Sequence, residues 1–347
     1  MTIRPVLATE PVSGDPDDPA IWVNRAAPAR SLLVATNKVA AAEGGALYVF
    51  GLDGKIRQKI PGLDRPNNVD VEYGLRLNGK VIDIAVVTER LQRRLRVYRI
   101  AANGLTEIAR IPVFENEPGE RAAPMGIALY KRRRDNAVFA IVGRKTGPAD
   151  GYLWQYRLLD DGRGNLVARK ARTVGRFSGA GEIEAIAVDD ALGYVYYADE
   201  TTGIRKYHAD PEHKSAAREL ALFGTTGFSG DREGIGIYAR PNGAGYIVCT
   251  DQIPAARGGS RYHLFRREGE PGHAHDHARR VGIVSGGADE TDGIEITSFA
   301  PLGPRFPAGL FAAMNSGGRN FLLYRADHVV PPSARTPRRT DGRTDAR

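Results

Sequence analysis

A unit of about 50 to 60 residues recurs six times along this chain of 347, and that repeat constrains the fold more than any other feature. Each copy opens on a short alternating segment introduced by acidic or amide residues: DDPAIWV from Asp17, NNVDVEY from Asn67, PMGIALY from Pro124, EIEAIAV from Glu182, DREGIGIY from Asp231 and TDGIEIT from Thr291. A more continuously apolar run follows, ending in polar residues: SLLVATNK, VIDIAVVTER, NAVFAIVGRK, GYVYYADE, GYIVCTDQ and GLFAAMN. The third part is an amphipathic segment with a central aromatic, as in ALYVFGL, LRVYRI, YLWQYRL, GIRKYHA, RYHLFRRE and FLLYRA. Alternation at period two with Gly, Asp and Asn between the runs reads as antiparallel hairpins. Six hairpin-rich units without crossover helices read as an all-β, six-bladed propeller, in which each small sheet protects its neighbour's edge. A long β-sandwich is the structural alternative. VLATEPV, before the first unit, is placed to pair with the last blade and close the ring. No internal boundary is evident, so residues 1–330 read as a single domain.

Composition agrees with many tight turns, since Gly is 41 of 347, about 12% against an average near 7%. No apolar run approaches the roughly 18 residues that cross a bilayer, and the opening MTIRPVLATEPV lacks the pattern of a secretory signal. With one cysteine, Cys249 in the run GYIVCT, an internal disulfide and Cys₄ zinc sites are excluded, and buried packing is its expected role. The net charge is +8. Of this, +3 lies in the polar segment 331–347, PPSARTPRRTDGRTDAR, read as a disordered basic tail. The run KRRR at Lys131 to Arg134 reads as a solvated hairpin turn.

In a propeller the start of each first strand and the end of each second strand reach the same face. The starts supply Asp17, Asp18, Asn68, Asp70, Glu182, Glu184, Asp231, Glu233, Asp289, Glu290 and Asp292. The ends supply Asn37, Lys38, Glu89, Arg90, Arg144, Lys145, Asp199, Glu200, Asp251, Gln252 and Asn315. Singly, such acids are turn formers. Gathered at one mouth they repel and raise one another's pKa unless a cation neutralises them. Oxygen ligands without Cys or a convincing His set select Ca²⁺ or Mg²⁺, and scattered loop carboxylates favour several Ca²⁺ ions. Lys38, Arg90, Arg144, Lys145 and Gln252, beside the acids, are candidate substrate contacts. Acids with metal and adjacent bases make a phosphate site, in which metal-activated water attacks phosphorus without a covalent nucleophile.

At these residues the sequence resembles the β-propeller phytases, the alkaline, calcium-dependent Bacillus-type family. The likeness runs from Asp17 to about Tyr324 and includes DDPAIWV, PNNVDVEY with LNGKVIDIAVV, GIALY, IEAIAVDDALGYVYYADE, REGIGIY, GYIVCTDQ and ETDGIEI followed by LGPRFPAGLFAAMN. The resemblance implies a six-bladed propeller with calcium in its channel and mouth. It also implies hydrolysis of phytate, a 3-phytase type of phosphomonoesterase reaction, with adjacent phosphates held in a cleavage and an affinity site. Carried over by position, Asp17, Glu184, Glu200, Glu233 and Asp292 are calcium ligands, with Asp18, Asp70 and Asp231 as neighbours. Glu184, Glu200, Glu233 and Asp292 are the catalytic set, while Lys38, Arg90 and Arg144 match phosphate contacts. A secreted or periplasmic monomer is implied, with no nucleic-acid or membrane partner, while the opening without a signal pattern keeps a cytoplasmic location as the alternative. Val39 stands where the family often has a second Lys, Met125 where a Tyr is expected, and Asn315 where it supplies an Asp.

Other chemistries fit less well. Cys249 lies mid-strand rather than in a phosphate-cradling loop, and no His sits in an RHG setting. His273, His275 and His277 in GHAHDHARR read as a solvated hairpin. The alternatives kept open are a lactonase-like calcium hydrolase and a calcium-dependent binding propeller; nucleic-acid binding ranks third because the predicted mouth is acidic.

Overall fold

The computed structural model describes residues 1–330, so the basic segment 331–347 lies outside the described residues. After a two-residue strand β1 (Leu7–Ala8), the chain forms sheets of four antiparallel strands. Blade 1 holds β2 (Pro16–Trp22), β3 (Leu32–Asn37), β4 (Ala46–Gly51) and β5 (Ile56–Pro61). Blade 2 holds β6 (Pro66–Leu77), β7 (Lys80–Glu89), β8 (Arg94–Ala101) and β9 (Gly104–Pro112). Blade 3 holds β10 (Pro124–Lys131), β11 (Val138–Arg144), β12 (Asp150–Asp160) and β13 (Leu166–Arg176). Blade 4 holds β14 (Ile186–Asp189), β15 (Tyr194–Asp199), β16 (Gly203–His208) and β17 (Ala221–Phe223), and blade 5 holds β18 (Ile235–Ala239), β19 (Gly245–Asp251), β20 (Arg261–Arg266) and β21 (Arg280–Ser285). Blade 6 takes β22 (Ile294–Thr297), β23 (Leu310–Asn315) and β24 (Asn320–Arg325) from the end of the chain and β1 from its beginning. Leu7 pairs with Leu323, so the expected closure by VLATEPV is the observed one, and the sandwich alternative is excluded.

The core is a set of six wedges, one between each pair of neighbouring blades. Second strands are continuously apolar because both of their faces are buried. In β3, Leu33 and Ala35 pack toward blade 6 while Leu32 and Val34 pack toward blade 2. In β15, Val195 and Tyr197 face blade 3 while Tyr196 and Ala198 face blade 5. Cys249 is one of these wedge residues, fully buried, with its thiol pushed far up by desolvation.

Polar staples join the blades as well. Arg267 on blade 5 makes a buried two-pronged pair with Asp189 on blade 4, at 2.5 and 2.6 Å. The KRRR run is a hairpin turn as expected, yet its Arg132 is buried and binds Asp210 at 3.0 Å on blade 4. In GHAHDHARR, His277 departs from the solvated reading: it is buried, with Nδ1 on the Arg266 carbonyl at 2.8 Å and Nε2 beside Lys206 Nζ at 3.0 Å. Among the described residues no helix is long and apolar enough to cross a membrane.

Inner strands pack close around the axis, which explains two glycines. A β-carbon at Gly126 would collide with the Glu184 carbonyl oxygen, and one at Gly293 with the Asp18 carboxylate. Both positions adjoin the mouth, so the site's neighbours are small by necessity.

Candidate functional site

Each second strand ends at the mouth with two successive residues, and strand alternation sends them in different directions. The first of each pair turns sideways and fixes a nearby loop. Asn37 donates to the Gly44 carbonyl at 2.9 Å, Glu89 accepts from the Asp64 N–H at 2.9 Å, and Asp199 accepts from the Ser178 N–H at 2.9 Å. Asp251 accepts from the Ser229 and Gly230 N–H groups at 2.8 Å each, and Asn315 accepts from the Asp289 N–H at 2.9 Å. Arg144 belongs to this series. Its guanidinium is 1% exposed, donates to the Tyr152 and Gly151 carbonyls at 2.8 and 3.1 Å, and lies over the rings of Phe114 and Trp154. The structure therefore places Arg144 in an aromatic box beside the mouth rather than in it.

The second of each pair reaches the opening: Lys38, Arg90, Lys145, Glu200 and Gln252. Lys38 Nζ lies 2.7 Å from Asp17 and 3.2 Å from Asp292. Gln252 Nε2 donates to the other Asp292 oxygen at 2.5 Å. Arg90 meets Glu184 at 3.4 Å, Lys145 pairs with Glu182, and Glu200 accepts from the Glu182 N–H at 2.6 Å. Residues from all the blades except the third's first strand thus form one polar cluster, with bases from blades 1 to 3 and acids concentrated on blades 4 to 6.

Burial sets the electrostatics. Desolvation, reinforced by Glu184 and Asp292, holds the Asp17 carboxyl well above its usual range against the opposing pull of Lys38. Desolvation likewise raises Glu233, with Glu184, Glu200 and Asp292 adding to it. Glu200 is pushed up to about 8 by burial and by Glu184 and Asp231. Asp292 is raised by burial despite Lys38. Lys38 is pulled down by burial, but Asp17, Glu184 and Asp292 outweigh that and raise it well above the usual lysine range. Arg90 and Lys145 are lowered, chiefly by desolvation.

Asp18 and Asp70 lie below this ring, in the channel. Asp18 accepts from the Val69 N–H at 2.9 Å and Asp70 from the Leu129 N–H at 2.6 Å, so each braces the inner strand of the next blade. With Asn68 and Glu295 they line a cavity of ≈ 120 Å³. Burial raises Asp18 and Glu295 well above the carboxylate range and Asp70 to about 7. Asp231 is exposed at the rim, where its carbonyl accepts from the Gln252 N–H at 3.0 Å.

Two residues escaped the sequence reading. Glu295 is one; its signal was available, because it occupies the position of Ala20, Ala128, Ala187 and Gly236 in four other repeats. Arg65 is the other. It adopts a left-handed backbone (φ 56°), its N–H donates to the Val39 carbonyl at 3.0 Å, and its carbonyl accepts from the Arg90 N–H at 3.1 Å. Its Nε is buried without a partner, and its charge helps to lower Arg90.

Among the described residues no three His, Cys, Asp or Glu side chains stand in a ready-made metal cage. Lys38 neutralises part of the cluster instead. The donor chemistry nevertheless fits a hard cation: Asp17 Oδ2 and the Asn68 oxygen are buried without hydrogen-bond donors, Asp17 Oδ1 meets Lys38, and four raised carboxyls crowd one opening.

The family model described as Phytase matches residues 2–320. The chain belongs to the Phytase family. Among curated relatives, a 3-phytase of Bacillus subtilis (strain 168) is 32% identical over 312 residues, covering 88% of this chain and 77% of the relative. Among solved structures, a calcium-binding protein, regucalcin, from Agrobacterium tumefaciens str. C58 superposes with TM-score 0.53 at 10% identity, covering 90% of this chain and 87% of that one, which shows a shared fold alone. Within this phytase-family chain, Met125 is fully buried and Asn315 keeps a loop-fixing role, so neither departure disturbs the acid cluster.

Proposed function

We propose that this protein releases phosphate from phytate at the channel mouth, with calcium as the required cation. The observation that carries the reading is the division of one opening into a basic and an acidic half. Lys38, Arg90 and Lys145 project from blades 1 to 3, with Arg65 beside them, and point-charge and bidentate contacts from such groups suit adjacent phosphates. Asp17, Glu184, Glu200, Glu233 and Asp292 would hold the calcium, with Asp18, Asp70 and Asp231 as neighbours. When bound, calcium supplies positive charge to a phosphoryl oxygen and makes water a better nucleophile.

The chain's own residues account for the rest. Lys38 holds Asp17 and Asp292 together at the floor of the mouth and faces an incoming phosphate. Gln252 orients Asp292. Glu200, pushed up to about 8 by burial and by Glu184 and Asp231, would be held ionised beside a bound cation, because opposite charge lowers a carboxyl pKa. Lactone hydrolysis would have no use for the basic half, and a binding propeller no use for the strained acids. We read such an enzyme as acting outside the cytoplasm, secreted or periplasmic, and as a monomer, in keeping with the family resemblance.

Phosphate release from phytate, measured with calcium and with chelator, tests the proposal. Release with calcium and none with chelator is expected. No release in calcium between about pH 6 and 9, the range in which His and metal-bound water titrate, would discard it.

A further inference from the structure

The outer edge of blade 3 carries a charge that the mouth does not explain. Residues 124–176, from β10 through β13, hold twelve Lys and Arg against four Asp and Glu, net +8, which equals the net charge of the entire chain. The remaining residues therefore sum to zero. Part of the excess is neutralised on the spot, since Arg132 and Arg134 pair with Asp210 and Glu212 of blade 4. The outer hairpin is different.

β12 and β13 are eleven residues each, longer than the outer pairs of the other blades, and β13 is the outermost strand of its sheet. Arg157 and Arg169 face each other directly across the ladder. Both are exposed, as is Arg163 in the connecting turn, and among the described residues none of the three guanidiniums has an ion pair or hydrogen bond. Lys170, on the same strand, sits over the Trp154 ring with Nζ 3.2 Å from its centre. Like charges directly opposite each other destabilise a sheet. A charged edge does guard against sheet-to-sheet pairing, but a single Lys serves that end; two arginines in register with no acid between them go further.

We propose that this edge binds a linear acidic polysaccharide through Arg157, Arg163 and Arg169. Guanidiniums match carboxylate and sulfate groups with paired hydrogen bonds. Arg157 and Arg169 sit opposite each other on the paired strands β12 and β13, and Arg163 lies in the turn that joins them, so the hairpin presents a narrow ridge two strands wide, the shape that suits an extended chain rather than a flat surface. Among the described residues the exposed large apolar side chains all lie elsewhere, so the strip offers none to insert into a bilayer. Trp154 is buried under Lys170 and offers no platform for unstacked bases. The site is separate from the mouth and independent of the phytase reading.

Heparin, a sulfated linear polysaccharide, is the probe. The full chain is loaded on immobilised heparin, eluted in a salt gradient, and its affinity measured against salt. Wild type is retained. In Arg157→Gln/Arg169→Gln the slope of log affinity against log salt falls by about two, one for each released counterion pair. Arg4→Gln/Arg30→Gln, which removes equal charge from exposed positions elsewhere, elutes with wild type, and a chain ending at Val330 remains bound. Unchanged phosphate release from phytate, or a melting temperature no lower than wild type should that activity be absent, shows that the strip variant is folded. If it is not, Arg163→Gln in the turn gives a slope change of about one. The proposal is overturned if the strip variant elutes with wild type, if the control pair shifts as far, or if removing 331–347 abolishes retention. Capture by duplex DNA or phosphatidylglycerol vesicles with flow-through on heparin also overturns it, in favour of that partner.

Discussion

Blades 1 to 3 and blades 4 to 6 present the same backbone positions to the mouth and fill them with opposite charge. The residue after each second strand is Lys38, Arg90 and Lys145 on one side, and Glu200, Gln252 and Ser316 on the other. The matching first-strand position is Asp17, Asn67 and Met125, then Glu184, Glu233 and Asp292. Neither half is comfortable alone. Burial raises the acids toward neutrality, and burial lowers Arg90 and Lys145, so each half is short of counter-charge that its own side chains supply only in part. A pseudo-symmetric ring thus makes an asymmetric site: one semicircle suited to anions and one to cations, sharing a common floor.

The largest effect should come from the acidic half. Glu184→Gln keeps the shape and the Arg90 contact's geometry but removes a charge felt by Asp17, Glu200, Glu233 and Lys38. Phosphate release from phytate should fall roughly 10²- to 10³-fold, the scale of losing one transition-state electrostatic group, with circular dichroism unchanged. Activity within threefold of wild type would break the assignment of roles to the two halves.

Lys38→Met tests the shared floor. Leaving Asp17 and Asp292 without their cation should cost about 3 to 5 kcal/mol in chelator, as for one partner removed from a buried pair. Calcium should restore much of it. A melting temperature equal to wild type in chelator would show that Lys38 does not hold the acids together.

A pH series sharpens the same point. Asp70 at about 7 and Glu200 at about 8 stand above their unfolded values near 4. At these two groups the folded chain binds more protons than the unfolded one, so their contribution to stability falls as pH rises from about 4 toward 8. In chelator the melting temperature should drop across that window. Calcium should raise it most at the alkaline end, where the carboxylates are ionised and preferential binding to the folded state is strongest. A flat profile would mean that the acids are less buried than the structure places them.

The smallest effect belongs to the basic half. Arg65→Asn, chosen because Asn tolerates the left-handed backbone, should raise the KM for phytate about tenfold, a loss near 1.4 kcal/mol, with kcat for a simple monoester unaltered. An unchanged KM would remove Arg65 from the phosphate contacts.

Much of this was open to reading before any coordinates. The repeat announced six blades, and unbroken apolar second strands announced walls buried on both faces. The convergence of Asp17, Glu184, Glu233 and Asp292 followed from their equivalent places in the repeat. Arg144 and Lys145 show where such reading stops: they are neighbours, equally basic, and a one-residue difference in strand phase sends the first into an aromatic box and the second to the opening. Arg65 precedes a proline in a loop, and only its left-handed turn brings it beside Arg90. His277 looked like one of three loop histidines until Lys206, 71 residues earlier, closed over it.

The sequence by itself determined the architecture and the chemical character of the mouth, because strand alternation and repeat position are local properties carried by consecutive residues. The tertiary structure decided which side chains meet: the Lys38 bridge between Asp17 and Asp292, the enclosure of Glu295, and the unneutralised arginines facing each other on blade 3. Those depend on register between strands and on burial between blades, and both are fixed only when distant segments close the ring.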